Sequence, residues 1–130
     1  MKILGIGVDI VENKRIQKSI KNPFFKKRIY STKELKQSSA VNNKVAYFSK
    51  RFAAKEAFSK ALGTGFRMNL KFKDIEVVND NMGKPYYVKN KKITKIIQKN
   101  FKIKNFKCFL SISDEKNYST AFTIIQTSWN

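Results

Sequence analysis

Two carboxylates in this chain stand where chemistry could be done. Glu56 is the only acid in a basic stretch that holds Lys50, Arg51, Lys55 and Lys60. Asp9 closes a short run with two glycines, Gly5-Ile6-Gly7-Val8-Asp9. Each has an ordinary reading. Glu56 could pair with Lys60 one helical turn away, worth about 0.3–0.5 kcal/mol, and Asp9 could cap the helix that follows it. Each also has a chemical reading. Carboxylates are hard oxygen ligands suited to Mg²⁺, which is usually held by one or two of them together with substrate phosphates. Lysines beside such a pair would neutralise those phosphates.

What the chain lacks narrows the choice. It contains no histidine, which removes histidine-based zinc sites and every Ser-His or Cys-His nucleophile pair. Any metal should therefore be hard and oxygen-bound. The lone Cys108 cannot form an internal disulfide and reads as a strand or core residue. Lys plus Arg number 28 against 9 Asp plus Glu, a formal charge of +19, which calls for an anionic partner. A hydrophobic content of 42% argues against disorder. No signal peptide or membrane span is evident, so the expectation is one cytoplasmic domain over residues 1–130.

These residues need elements to hold them. Residues 51–62 have helical composition, and Gly63 is a plausible stop. At helical periodicity Ala53, Ala54, Ala57, Phe58, Ala61 and Leu62 share one half, which should face the core through its small alanines. Arg51, Phe52, Lys55, Glu56, Ser59 and Lys60 fall on the other half. Residues 3–11 read as a strand with Leu4, Ile6, Val8 and Ile10 on one face and Gly5, Gly7 and Asp9 on the other. Two glycines on one face suggest a close backbone approach. Short helices are expected over 12–20, 24–30 and from the Ser31 or Thr32 cap, and Asn42 or Asn43 should open the long helix. A strand over 75–78 and its return over 86–88 flank the turn residues Asn79 to Pro85. A helix over 91–100 and strands over 107–113 and 120–126 complete an α+β fold, an antiparallel sheet with helices packed on it.

Several pieces in this order resemble one family. They are Gly5-Ile6-Gly7-Val8-Asp9-Ile10-Val11-Glu12, then Arg51-Phe52-Ala53-Ala54-Lys55-Glu56-Ala57-Phe58-Ser59-Lys60-Ala61-Leu62-Gly63-Thr64-Gly65, then Asn79-Asp80 with Gly83-Lys84-Pro85, then Ser111-Ile112-Ser113. The chain is similar over nearly its whole length to the holo-[acyl-carrier-protein] synthases, the small bacterial type of 4′-phosphopantetheinyl transferase. The resemblance implies that type of fold and a Mg²⁺-dependent reaction. The 4′-phosphopantetheine arm of coenzyme A passes to a serine of apo acyl-carrier protein, adenosine 3′,5′-bisphosphate leaves, and the product serves fatty acid biosynthesis. It also implies a homotrimer with sites at subunit interfaces, with no role for nucleic acid or membrane.

Carried over residue by residue, the resemblance makes Asp9 and Glu56 the metal ligands and Lys60 the catalytic cation. Arg51, Lys55, Gly63, Gly65, Gly83, Lys84, Pro85 and Ser111 become the coenzyme A contacts. Basic residues interleaved with an aromatic, Arg15, Lys21, Phe25 and Arg28, would dock the acidic carrier protein. One departure stands out. The family usually reads Ser-Ile-Ser-His or Ser-Ile-Thr-His where this chain has Ser111-Ile112-Ser113-Asp114. An ionised Asp114 would repel a phosphate there. With no histidine base, the serine proton must leave through Glu56, a water activated by the metal, or bulk solvent. Two other functions compete: a basic nucleic-acid-binding module, for which no recognised motif is present, and a degenerate transferase that only binds carrier protein. The presence of Asp9, Glu56 and Lys60 together speaks against the second.

Overall fold

The computed structural model describes residues 1–128. The chain runs β1 (Lys2–Glu12), α1 (Asn13–Ser19), α2 (Pro23–Ile29), α3 (Thr32–Ser38) and α4 (Lys44–Leu62). It continues through β2 (Val77–Asn79), β3 (Pro85–Tyr87), α5 (Lys91–Phe101), β4 (Lys107–Asp114) and β5 (Tyr118–Thr127). The strands β1, β5 and β4 form an antiparallel sheet in that order, and β2 with β3 makes a separate hairpin. The element order and the α+β class are those expected from the sequence.

The long helix α4 lies on β1 at backbone distance, and the two glycines are the reason. A Cβ at Gly5 would fall 1.8 Å from the Ala61 carbonyl oxygen, and one at Gly7 would fall 1.9 Å from that of Ala57. No side chain fits at either position. Small residues on both partners therefore let helix and strand touch. Asn43 caps α4 by accepting from the Ala46 amide, and Gly63 ends it with a left-handed φ of 78°.

Two expectations are corrected. The strand face carrying Ile6, Val8 and Ile10 was expected to be apolar and directed together with Leu4. It points away from α4, with Ile10 65% exposed. Leu4 does not share that face, because a bulge between Ile3 and Gly5 shifts the register and turns it toward the core. The glycine face is the buried one, since only it lets the helix approach.

The second correction concerns α4. Its polar half is not a solvated face: Arg51, Phe52, Lys55 and Ser59 are all buried. Lys55 was assigned to coenzyme A phosphates, and the fold removes it from that role. Its ammonium is fully buried, pairs with Glu34 Oε1 at 2.8 Å, and donates to the carbonyls of Phe72 and Ile75. All three of its protons are used. Glu34 in turn accepts from the Ser31 amide in a capping box and from the Val77 amide. This network ties α3, α4 and β2 together.

Candidate active site

β1 and α4 carry the acid pair to one place. Asp9 lies on the glycine face of β1, in the row Asp9, Ala121, Ile112 across the sheet, and Glu56 lies on the adjoining turn of α4. Lys60 crosses from α4 to β1, where its Nζ donates to Asp9 Oδ1 at 3.1 Å and to the Val8 carbonyl at 3.1 Å. The ordinary Glu56–Lys60 ion pair is therefore not formed. Burial, and next the neighbouring negative charge of Asp9, raise the Glu56 pKa above the usual carboxylate range. Lys60 and Arg15 act against this. Two half-buried carboxylates repelling each other, with a half-exposed ammonium beside them, have the composition of a divalent cation site. Among the described residues no group of three or more potential ligand side chains exists, so the pair suits an ion whose remaining ligands come from substrate oxygens and water.

The other assigned residues fall into three places. Arg51, Gly83, Pro85 and Asp114 line one cavity with Lys50 and Asn79. Arg51 stacks its guanidinium 3.8 Å from the centre of the Tyr47 ring, and its Nη2 donates to Asn79 Oδ1 at 2.7 Å. Asn79 Nδ2 donates to the Gly83 carbonyl at 2.8 Å, so this side chain locks the arginine to the hairpin turn. The Arg51 Nε is buried and has no hydrogen-bond partner among the described residues. Lys84 and Ser111 line a second cavity, with Phe109 and Phe122 on the outward side of the sheet, which meets the first at Pro85. Gly63 and Gly65, both at left-handed φ with open space beside them, lie past the end of α4. At about 1.5 Å per residue they are roughly 18 Å along the helix from Arg51.

Of the docking residues, Arg15, Lys21 and Arg28 are exposed on α1 and α2 and the turn between them. Arg15 sits 5.5 Å from the Phe52 ring centre and bears on Glu56, so this basic face adjoins the acid pair. The Phe25 assignment is corrected. Its ring is half-buried, stacked on Phe52 and edge-on to Tyr30. The free ring is that of Phe24, 82% exposed at the start of α2. Sequence reasoning missed Asn79 and Glu34. A polar residue beside a turn and an acid three residues after a serine cap were visible signals, but their long-range partners were not.

Comparison with known proteins bears on this arrangement. Residues 5–123 match the model of the 4′-phosphopantetheinyl transferase superfamily. A holo-[acyl-carrier-protein] synthase of Pelagibacter ubique is 63% identical over 126 residues, spanning 97% of this chain and 98% of the relative. A crystal structure of the holo-[acyl-carrier-protein] synthase of Neisseria meningitidis superposes with a TM-score of 0.88 at 37% identity, covering 97% of this chain and 100% of that one. That of Bacillus anthracis, solved in complex with CoA (3′,5′-ADP), gives 0.80 at 34% identity, covering 97% and 98%.

Proposed function

This chain belongs to the 4′-phosphopantetheinyl transferase superfamily, and on that premise we propose that it is a transferase moving the 4′-phosphopantetheine arm of coenzyme A onto a serine of apo acyl-carrier protein. The observation that carries the reading is the meeting of Asp9, Glu56 and Lys60 where α4 touches β1. In the reaction the serine oxygen bonds to the phosphorus bearing pantetheine, the bond to the bridging oxygen breaks, and adenosine 3′,5′-bisphosphate leaves.

The residues present fit Mg²⁺, held by Asp9 and Glu56. When bound it would shield the pyrophosphate and polarise its oxygens. Lys60 supplies a fixed positive charge beside that position and offsets the charge that develops on the leaving oxygen. With Asp9 and Glu56 engaged as ligands and no histidine in the chain, the serine proton leaves to water rather than to a side chain of the cluster. Arg51, on the wall of the cavity shared with Gly83 and Pro85, binds a phosphate of the nucleotide through its guanidinium charge, and Asp114 weakens that hold by its own charge. The acidic carrier docks on Arg15, Lys21 and Arg28, with Phe24 rather than Phe25 as the apolar anchor.

The same reading includes a homotrimer of one domain per chain, acting in the cytoplasm. Support comes from the outward sheet face, where Ile6, Val8, Ile10, Phe109 and Phe122 are exposed together on adjacent strands. Such a patch calls for a partner surface. A site between subunits would also account for coenzyme A contacts being scattered over three places in one chain. No helix among the described residues is long and apolar enough to cross a membrane.

The test is mass spectrometry of apo acyl-carrier protein incubated with this chain, coenzyme A and Mg²⁺. The reading requires one phosphopantetheine added at the serine, and an unchanged carrier mass overturns it.

A further inference from the structure

A cleft away from the acid pair has no part in this function. The hairpin strand β3 lies beside β4 without joining its hydrogen-bonded ladder. Where the two strands separate, a cavity of about 250 Å³ opens between residues 87–89, residues 106–109 and α5. Its walls are Phe58, Tyr87, Ile93, Phe106 and Cys108, and no acidic residue lines it. Burial pushes the Cys108 thiol up to about 12, so it stays a neutral, apolar wall group rather than a nucleophile. A cavity of this size is large enough for a small organic molecule and too small for a long lipid chain.

The mouth has the opposite character. Lys89 and Lys107 both line the cavity, and Lys89 Nζ lies 4.7 Å from the centre of the Phe106 ring. The cleft also opens in a stretch without a single acid between Asp80 and Asp114, so nothing nearby in sequence neutralises these lysines. Neither is in an ion pair among the described residues. A small apolar cleft with ammonium groups of Lys89 and Lys107 beside it matches a molecule with an anionic head and a short apolar tail.

We propose that the cleft between β3, β4 and α5 binds a medium-chain acyl carboxylate, its tail against Phe58, Phe106 and Cys108 and its head at Lys89 and Lys107. The cleft adjoins the cavity of Lys84 and Ser111 through Cys108 and Phe109, and its occupancy needs neither coenzyme A nor a metal.

The experiment is calorimetric titration of the full chain with octanoate, with octanol and acetate as separate arms. Saturable binding of octanoate at one site per chain is expected, with octanol and acetate each at least about tenfold weaker. Lys89→Glu with Lys107→Glu, both surface changes, should weaken octanoate about tenfold or more and leave octanol as it was. Cys108→Phe should block octanoate by filling the slot. Should that variant misfold, shifts of the Ile93 and Cys108 amide signals when octanoate is added to the native chain give the same information, and their absence counts against the proposal. Absence of saturable octanoate binding, or equal affinity in the double lysine variant, overturns the proposal.

Discussion

Lys60 donates to Asp9 Oδ1 at 3.1 Å across the contact between α4 and β1, and leaves Glu56, one turn away on its own helix, without a lysine partner. The pairing is between elements, not along the helix. It holds the ammonium over the Asp9 end of the site, while Glu56 keeps its oxygens free for another cation.

Lys60→Ala should therefore act on chemistry more than on binding of the carrier. Removing a positioned charge that answers charge developing in the transition state costs about 10²–10³ in kcat. The expectation is a fall of that order in kcat with the carrier KM nearly unchanged, measured in a steady-state transfer assay. The pair is half-exposed, with the Lys60 side chain 53% accessible, so folding stability should move little.

Glu56 should show itself in stability against pH. Its folded-state pKa lies above the unfolded value, chiefly through burial and then through Asp9. The folded chain thus holds the Glu56 proton to higher pH than the unfolded chain does. Its ionisation consequently lowers stability as pH rises from the ordinary glutamate range through the raised value. Glu56→Gln should raise the Tm of the metal-free protein at neutral pH, and the gain should vanish below about pH 4, where both states are protonated. Thermal melts of both proteins across pH, with a chelator present, check this.

The buried pair Lys55–Glu34 is structural, and its two ends are not equivalent to an empty core. Lys55→Met leaves the Glu34 carboxylate buried without its counter-ion and should cost about 3–5 kcal/mol. Adding Glu34→Gln should recover a substantial part, because the orphaned charge is removed. Denaturant unfolding of the two single variants and the double variant measures the coupling.

Docking of the carrier should depend on α2. Phe24→Ala and Arg28→Glu should each raise the carrier KM, with kcat and coenzyme A binding preserved, and the effect of Arg28→Glu should shrink as salt rises. Phe25→Ala should instead lower stability, since its ring packs on Phe52. Kinetics on the exposed variants and melting of the buried one separate the two roles.

Much of this was legible in the chain itself. Strand periodicity, the cap pairs Ser31/Thr32 and Asn42/Asn43, of which Ser31 and Asn43 act, and the turn around Gly83 placed the elements, because those signals are local. Gly5 and Gly7 announced a close approach, and α4 is what approaches. Leu4 was placed with Ile6, Val8 and Ile10 because strict alternation carries no sign of the bulge between Ile3 and Gly5 that turns it inward. Lys55 was misread because a lysine on the polar half of the helix looks available to phosphate. Its counter-ion Glu34 comes from another helix, and periodicity carries no information about that. Phe24 and Phe25 are adjacent, and only the packing of α2 on Phe52 decides which ring is free.

The central claim is that Asp9 and Glu56 act as one ligand pair for a divalent ion against the pyrophosphate of coenzyme A. Calorimetric titration of coenzyme A into the protein, with Mg²⁺ and with chelator, tests it most directly when repeated on Asp9→Asn and Glu56→Gln. The account predicts that Mg²⁺ tightens coenzyme A binding in the native chain and that either substitution abolishes this gain. A Mg²⁺ gain of equal size in both variants would contradict it.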